Sequence, residues 1–335
     1  MNSSDIFLPR KRSQNLLIVE GSHEKNVLFK LLFKCFPELK IDMDEIWIYG
    51  TNIYILYNDI VKEYGGEWYN EDVDLPFVIS KNKNPSEQRR YKDDFVNIIL
   101  VFDYEHHDPN FSEDKINILQ EYFNDMTNVG QLFINYPMIE SYQDVEKIPD
   151  ENYIDKKVSV KVNPGKKYKA LVKNSFIYNI VGLPQKIFEI LNDRFSVDFE
   201  KSNISASQLL ELSCYESLNN DIDEILKKTM GNNFKTAQYQ LNELILKFNY
   251  IRDNMSYWAY LRDVFIELII MNLRKAICIQ GSQVNNKYDE LYGLLDLSNV
   301  LKEQNSLSRD DDKGQIWILN TCIFVVAEYN SKLLF

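Results

Sequence analysis

Three short stretches hold the side chains best suited to chemistry: "VEGSHE" (19–24), "FDYEHHD" (102–108) and "NYPMIESY" (135–142). The first offers Glu20 and Glu24, the second Asp103, Glu105 and Asp108, the third Glu140 and Ser141. Carboxylates that converge repel one another and hold protons more tightly unless a cation lies among them. A donor set made only of oxygens selects a hard ion, Mg²⁺ or Mn²⁺, over zinc. The acids of these turns, Glu20, Glu24, Asp103, Glu105, Asp108 and Glu140, are therefore candidate ligands for such an ion. All three histidines of the chain fall inside the first two turns: His23, His106 and His107. A histidine there suits orienting a ligand, protonating a leaving oxygen or binding Mn²⁺. Plainer roles compete. Glu24 is also a first-turn acid favoured by a helix dipole, Asp108 stands before Pro109 and can start a turn, and Glu140 can pair with a nearby lysine.

The elements around these turns suggest how they meet. Apolar runs at 16–19, 45–49, 97–102 and 131–135 have the continuous character of strands buried on both faces. Between them, Val27, Leu28, Leu31, Leu32 and Cys35 share one helical face, as do Ile53, Leu56, Tyr57, Ile60, Val61 and Tyr64. Residues 111–123 supply a further helix with Ser112 as its N-cap. Such alternation predicts an α/β fold with a parallel four-stranded sheet. Ligands in open parallel sheets bind beyond the carboxyl ends of the strands, and the acidic turns stand there. Residues 65–96 are polar and irregular, and are expected to form an insertion or long loop.

The character changes after about residue 150. Residues 156–173 carry seven lysines around a Pro-Gly pair, which suits either a strand-holding basic segment or a solvated β-hairpin. From 185 onward helical periodicity dominates. It is clearest at 255–280, where Trp258, Leu261, Phe265, Leu268 and Asn272 step by three or four. The expected organisation is a catalytic domain over 1–150, a lysine-rich segment over 151–180 and a mainly helical C-terminal domain over 181–335. The 255–280 helix is expected to pair across a homodimer or to serve as internal core.

A net charge of −12 argues against generic affinity for phosphate backbones, while leaving room for a nucleic acid met through a bound cation. Four scattered cysteines with no C-x-x-C pair exclude a zinc ribbon and suit reduced core thiols. No apolar run reaches the roughly 18 residues of a membrane span, and the N-terminal residues lack a signal-peptide core; a cytoplasmic protein is expected, without membrane contact. No phosphate-binding Gly-x-x-x-x-Gly-Lys loop and no Gly-x-Ser-x-Gly elbow occurs.

With both acidic turns in hand, the pattern resembles the TOPRIM domain of topoisomerases, primases and OLD-type nucleases. That family places a Glu-Gly after its first strand and an Asp-x-Asp after its third; Glu20-Gly21 and Asp103-Tyr104-Glu105 match, with Glu105 replacing the second Asp. The Glu-x-x-x-Glu of the OLD-type nucleases is similar to Glu20 and Glu24, and their later Ser/Glu motif finds its nearest counterpart in Glu140 and Ser141. Their downstream lysine has three candidates here, Lys166, Lys167 and Lys169, which would hold substrate. The resemblance covers residues 15–145. It implies a Mg²⁺- or Mn²⁺-dependent endonuclease acting on tRNA, other RNA or DNA. It also implies an abortive-infection or PARIS-like setting in phage defence, beside an ABC-type ATPase partner. The alternative is a TOPRIM-derived interaction module that binds such an ATPase without catalysis.

Overall fold

A computed structural model describes residues 13–83, 89–162, 164–183, 257–283, 290–310 and 312–335, with isolated positions between 184 and 256. The chain is α/β. Strands β1 (Ser13–Val19), β2 (Ile46–Ile48), β3 (Phe95–Asp103), β4 (Asn124–Asp125) and β5 (Gly130–Asn135) form one sheet in the order β2-β1-β3-β5-β4. The pairs β1–β2, β1–β3 and β3–β5 are parallel. The four expected strands are all present, and the sheet gains a fifth. The two-residue β4 runs antiparallel to β5 and is too short to show as an apolar run.

Burial explains why the parallel strands are so apolar. Leu16, Leu17, Ile18 and Val19 are fully buried, as are Leu100 and Phe102 at the sheet centre. Between β1 and β2 the chain makes a π-helical turn, Glu24–Phe29, and then α1 (Lys30–Cys35), which bury Leu28, Leu32 and Cys35. Helix α2 (Ile53–Tyr64) starts at Asn52, whose side chain accepts the Ile55 amide at 3.1 Å, and buries Ile53, Leu56 and Ile60. Helix α4 (Glu113–Tyr122) is capped by Ser112, as its sequence suggested.

The stretch 65–96 is not a structureless loop. It contains α3 (Leu75–Lys83), which packs on α2, and Asp74 caps it by accepting the Phe77 amide at 3.0 Å. Trp68 folds inward and is fully buried against Tyr57 and Tyr122. The abundance of polar residues concealed this, because the helix is short and its apolar face is carried by three residues, Leu75, Val78 and Ile79, ahead of a polar second half. The lysine-rich segment is not a local hairpin either. Strand β6 (Lys157–Ser159) pairs with the distant β7 (Gln315–Trp317), and a π-helical turn, Pro164–Tyr168, then leads into α5 (Lys169–Val172).

Compactness divides the chain elsewhere than composition does. One unit comprises residues 1–142, 151–170 and 270–335; the other comprises 143–150 and 171–269. In the first, α8 (Leu297–Ser308) packs on α4, and Asn305 donates to Asn117 at 3.0 Å. The buried Lys275 donates to the carbonyls of Tyr153 and Lys156, each at 2.7 Å, and lies over the Tyr153 ring. A buried ammonium held by carbonyls and a ring face keeps its charge solvated by protein. In the second unit, α6 (Phe176–Val181) is capped by Ser175 and tied by Phe176 to the Val145 carbonyl at 3.1 Å. The 255–280 expectation is met by α7 (Tyr257–Ile279), in which Leu261, Phe265, Leu268 and Asn272 are buried within the single chain. Helix α9 (Val325–Asn330) lies near the end of the chain. Most of 184–256 lies outside the described residues. Cys35 and Cys322 are buried and Cys278 is exposed, all with free thiols, while Cys214 lies outside the described residues. No described helix is long and apolar enough to cross a membrane.

Gly130 opens β5 at φ +113°, and a Cβ there would sit 2.7 Å from Leu100 Cδ1. Gly130→Ala therefore imposes both backbone strain and a core clash. Its urea midpoint is expected to fall by the equivalent of about 2 kcal/mol; an unchanged midpoint would show that β3 and β5 are not packed this closely.

Candidate metal centre

The parallel register decides which residues share the carboxyl edge. Val19 pairs with Val101, and the Glu20 amide continues the ladder to the Val101 carbonyl at 3.2 Å, so Glu20 leaves β1 beside the end of β3. Asp103 is the last residue of β3 and pairs with Asn135, the last residue of β5. Glu20 Oε2 accepts the backbone amide of Asp103 at 3.2 Å. Turns more than eighty residues apart therefore meet at one rim. An aspartate's carboxyl oxygens lie within about 4.5 Å of its own nitrogen by covalent geometry. The Glu20 and Asp103 carboxylates are thus within reach of shared ions.

Each acid is held by local structure. Gly21 lets the chain turn tightly, and its amide donates to Glu24 Oε2 at 3.1 Å. Glu24 begins the π-helical turn and is buried. Asp103 is 5% exposed, and Asn135 Nδ2 approaches its Oδ1 at 3.4 Å. The other end of that amide, Asn135 Oδ1, accepts the Cys322 amide at 3.2 Å, so Asn135 is fixed from both sides. Glu105 has φ +39°, a left-handed conformation unfavourable for a side chain with a Cβ. Its neighbour Tyr104 anchors the turn from both directions. The Tyr104 carbonyl accepts Tyr54 Oη at 2.7 Å, and its own hydroxyl donates to Asn305 on α8 at 2.6 Å.

Electrostatics shows how crowded the rim is. Burial pushes the Glu20 carboxyl up to about 8, and the charges of Glu105, Glu24 and Asp108 add to it against the Asp103 amide. Asp103 is raised well above the usual range by burial and then by Glu20, Glu24, Glu140 and Glu105. Burial also raises Glu24 and Glu105, with Glu140 acting on the first and Asp108 on the second. These six carboxylates, Glu20, Glu24, Asp103, Glu105, Asp108 and Glu140, belong to one electrostatic cluster.

Glu140 enters from the short helical turn Ile139–Gln143 after β5 and is 4% exposed. Its Oε1 lies 2.9 Å from Lys169 Nζ and 3.8 Å from His23 Nε2. Its Oε2 is buried and accepts no hydrogen bond. Ser141 is buried, and its hydroxyl accepts Asn320 Nδ2 at 3.1 Å. Of the three candidate lysines, Lys169 reaches the cluster, while Lys166 and Lys167 stand exposed on the preceding turn.

The remaining candidates lie on the second turn. His106 is half-buried against Phe111, with ring centroids 4.7 Å apart, and His107 is exposed. Asp108 shapes its own turn. Its Oδ1 accepts the Asn110 amide at 2.7 Å, and its Oδ2 accepts Asn52 Nδ2 at 2.6 Å. Asn52, Asn135 and Asn320 are contributors that motif spacing did not suggest. Asn135 had a signal in its place at the end of an apolar run. Asn52 and Asn320 had none beyond the turn and loop that carry them.

The donor set fits a hard divalent cation in chemistry. Its members are oxygens crowded enough to raise one another's proton affinity, and one buried oxygen, Glu140 Oε2, has no hydrogen-bond partner. It is not arranged as a ligand shell: among the described residues no group of three or more His, Cys, Asp or Glu side chains is placed to hold a metal ion. The carboxylates are turned instead toward protein donors, namely the amides of Asp103 and Gly21 and the Lys169 ammonium. No protein-family model, curated protein or solved structure matches the chain significantly.

Because the Glu20 carboxyl rises from 4.5 to about 8 on folding, the native state binds its proton more tightly than the unfolded chain does. Stability contributed by that proton is complete below 4.5 and is lost as pH rises through 8. In metal-free buffer the melting temperature is expected to fall between pH 5 and pH 8.5, and to fall less steeply in Glu20→Gln. Parallel pH slopes for the two proteins would contradict the crowded rim.

Proposed function

We propose that this chain is a metal-dependent nuclease that hydrolyses phosphodiester bonds at the carboxyl edge of its sheet. The observation that carries the reading is the contact between Glu20 Oε2 and the Asp103 amide, which joins two acidic turns distant in sequence. Glu20, Asp103 and Glu105 would hold the ion, with Glu24 and Glu140 at its margin. An Mg²⁺ or Mn²⁺ ion bound there supplies an activated water and neutralises charge on the scissile phosphate. The chain's own work is positional. Asn135 fixes the Asp103 carboxylate and Tyr104 locks the second turn, on which Glu105 is held in a left-handed conformation with its charge acting on Glu20. The exposed Lys166 and Lys167 are suited to meeting a phosphate backbone.

By the same TOPRIM-like resemblance, the substrate is tRNA, other RNA or DNA, and the setting is phage defence beside an ABC-type ATPase; the absence of a signal-peptide core in the sequence adds a cytoplasmic location. A second reading is supported by the Glu140–Lys169 pair and by carboxylates turned to protein donors: a TOPRIM-derived interaction module that binds the ATPase without cleaving nucleic acid.

Labelled tRNA, single-stranded RNA and plasmid DNA incubated with the protein in Mg²⁺ or Mn²⁺, alone and with the ATPase, separate the two. The nuclease reading expects cleavage that Glu20→Gln and Asp103→Asn reduce by about 100-fold or more, and that Asn135→Ala reduces by roughly 10- to 100-fold through a loosened ligand. Absence of cleavage under every condition favours the interaction module.

A further inference from the structure

We infer that Lys169 is a resident counter-cation of the acidic rim, whose ammonium leaves Glu140 when a divalent ion enters. This rests on the metal-dependent reading and adds the step by which the site becomes loaded.

The geometry around Glu140 is lopsided. Both polar neighbours approach the same oxygen, Oε1: Lys169 Nζ at 2.9 Å and His23 Nε2 at 3.8 Å. Oε2 is buried with no donor. An unbonded buried carboxylate oxygen is costly. A cation of small radius among the carboxylates would use the orphan oxygen; an ammonium on a stem reaching from outside does not.

Lys169 is placed to come and go. It is the first residue of the four-residue α5, and its side chain is 51% exposed while its partner's is 5% exposed. A flexible four-carbon stem lets the head swing into water without disturbing the backbone. Burial opposes its charge, but the hydrogen bond to Glu140 and the fields of Glu140, Asp103 and Glu24 outweigh that and hold the proton. A single positive charge thus faces several carboxylates that already repel one another. A dication at the same place doubles the attraction to each of them.

Mn²⁺ binding to the full chain, read as free-ion electron spin resonance signal, tests this without recourse to activity. Removing the ammonium in Lys169→Gln is expected to tighten Mn²⁺ binding by about 10-fold, whereas Lys166→Gln, a comparable loss of charge one turn earlier, changes it by less than about twofold. In the unsubstituted protein, carbon-13 at lysine Cε is expected to show one resonance, absent from Lys169→Gln, that shifts on adding Mg²⁺. If Mn²⁺ binds the unsubstituted protein and Lys169→Gln binds it equally or more weakly, the exchange is wrong while the metal reading stands. If neither protein binds Mn²⁺, both fall together.

Discussion

Buried like charges are the constraint around which this structure is organised. Asp103, Glu24 and Glu140 are each almost fully enclosed at the carboxyl edge of a parallel sheet, and Glu20 and Glu105 crowd the same rim. Every one of these groups would be better solvated at the surface. Their shared effect is visible in the upward shifts of Glu20, Glu24, Asp103 and Glu105. A fold keeps such an arrangement by surrounding it with rigid support, and the support here is extensive.

That support comes from parts of the chain far from the acids. Asn135 links Asp103 to the Cys322 amide. The segment around Leu319 runs beside Tyr136 as a backbone bridge, and from it Thr321 donates to the Ile134 carbonyl at 2.8 Å and Asn320 holds Ile139 and Ser141. Helix α8 grips Tyr104 through Asn305, next to the turn that carries Glu105. The rim is therefore built by the sheet and braced by the last forty residues of the chain, so the end of the sequence serves the site as much as the beginning does.

Much of the scaffold was legible because buried parallel strands leave no choice of residue. "LLIV" and "NIILVF" lie at the sheet centre, and Ser112 caps the helix that follows β3. The acids at strand ends stood out because a carboxylate next to such a run is expensive. Three things were hidden. The edge strand β4 is two residues long, below any periodic signal. Helix α3 confines its apolar stripe, Leu75, Val78 and Ile79, to little more than one turn, so polar residues dominate 65–96. The pairing of β6 with β7 spans more than 150 residues, and no local pattern announces a partner so distant. The same limit applies within the site: Glu140 and three lysines were candidates together, and only the path of the π-helical turn Pro164–Tyr168 selects Lys169.

Diffraction from crystals grown with Mn²⁺, using the anomalous signal of the metal, tests the central claim most directly. The expected result is a peak at the rim with carboxylate oxygens of Glu20 and Asp103 at about 2.0–2.3 Å, Glu20 having left the Asp103 amide. A saturating Mn²⁺ concentration that yields no peak between these two residues, with Glu20 still bonded to that amide, would contradict it.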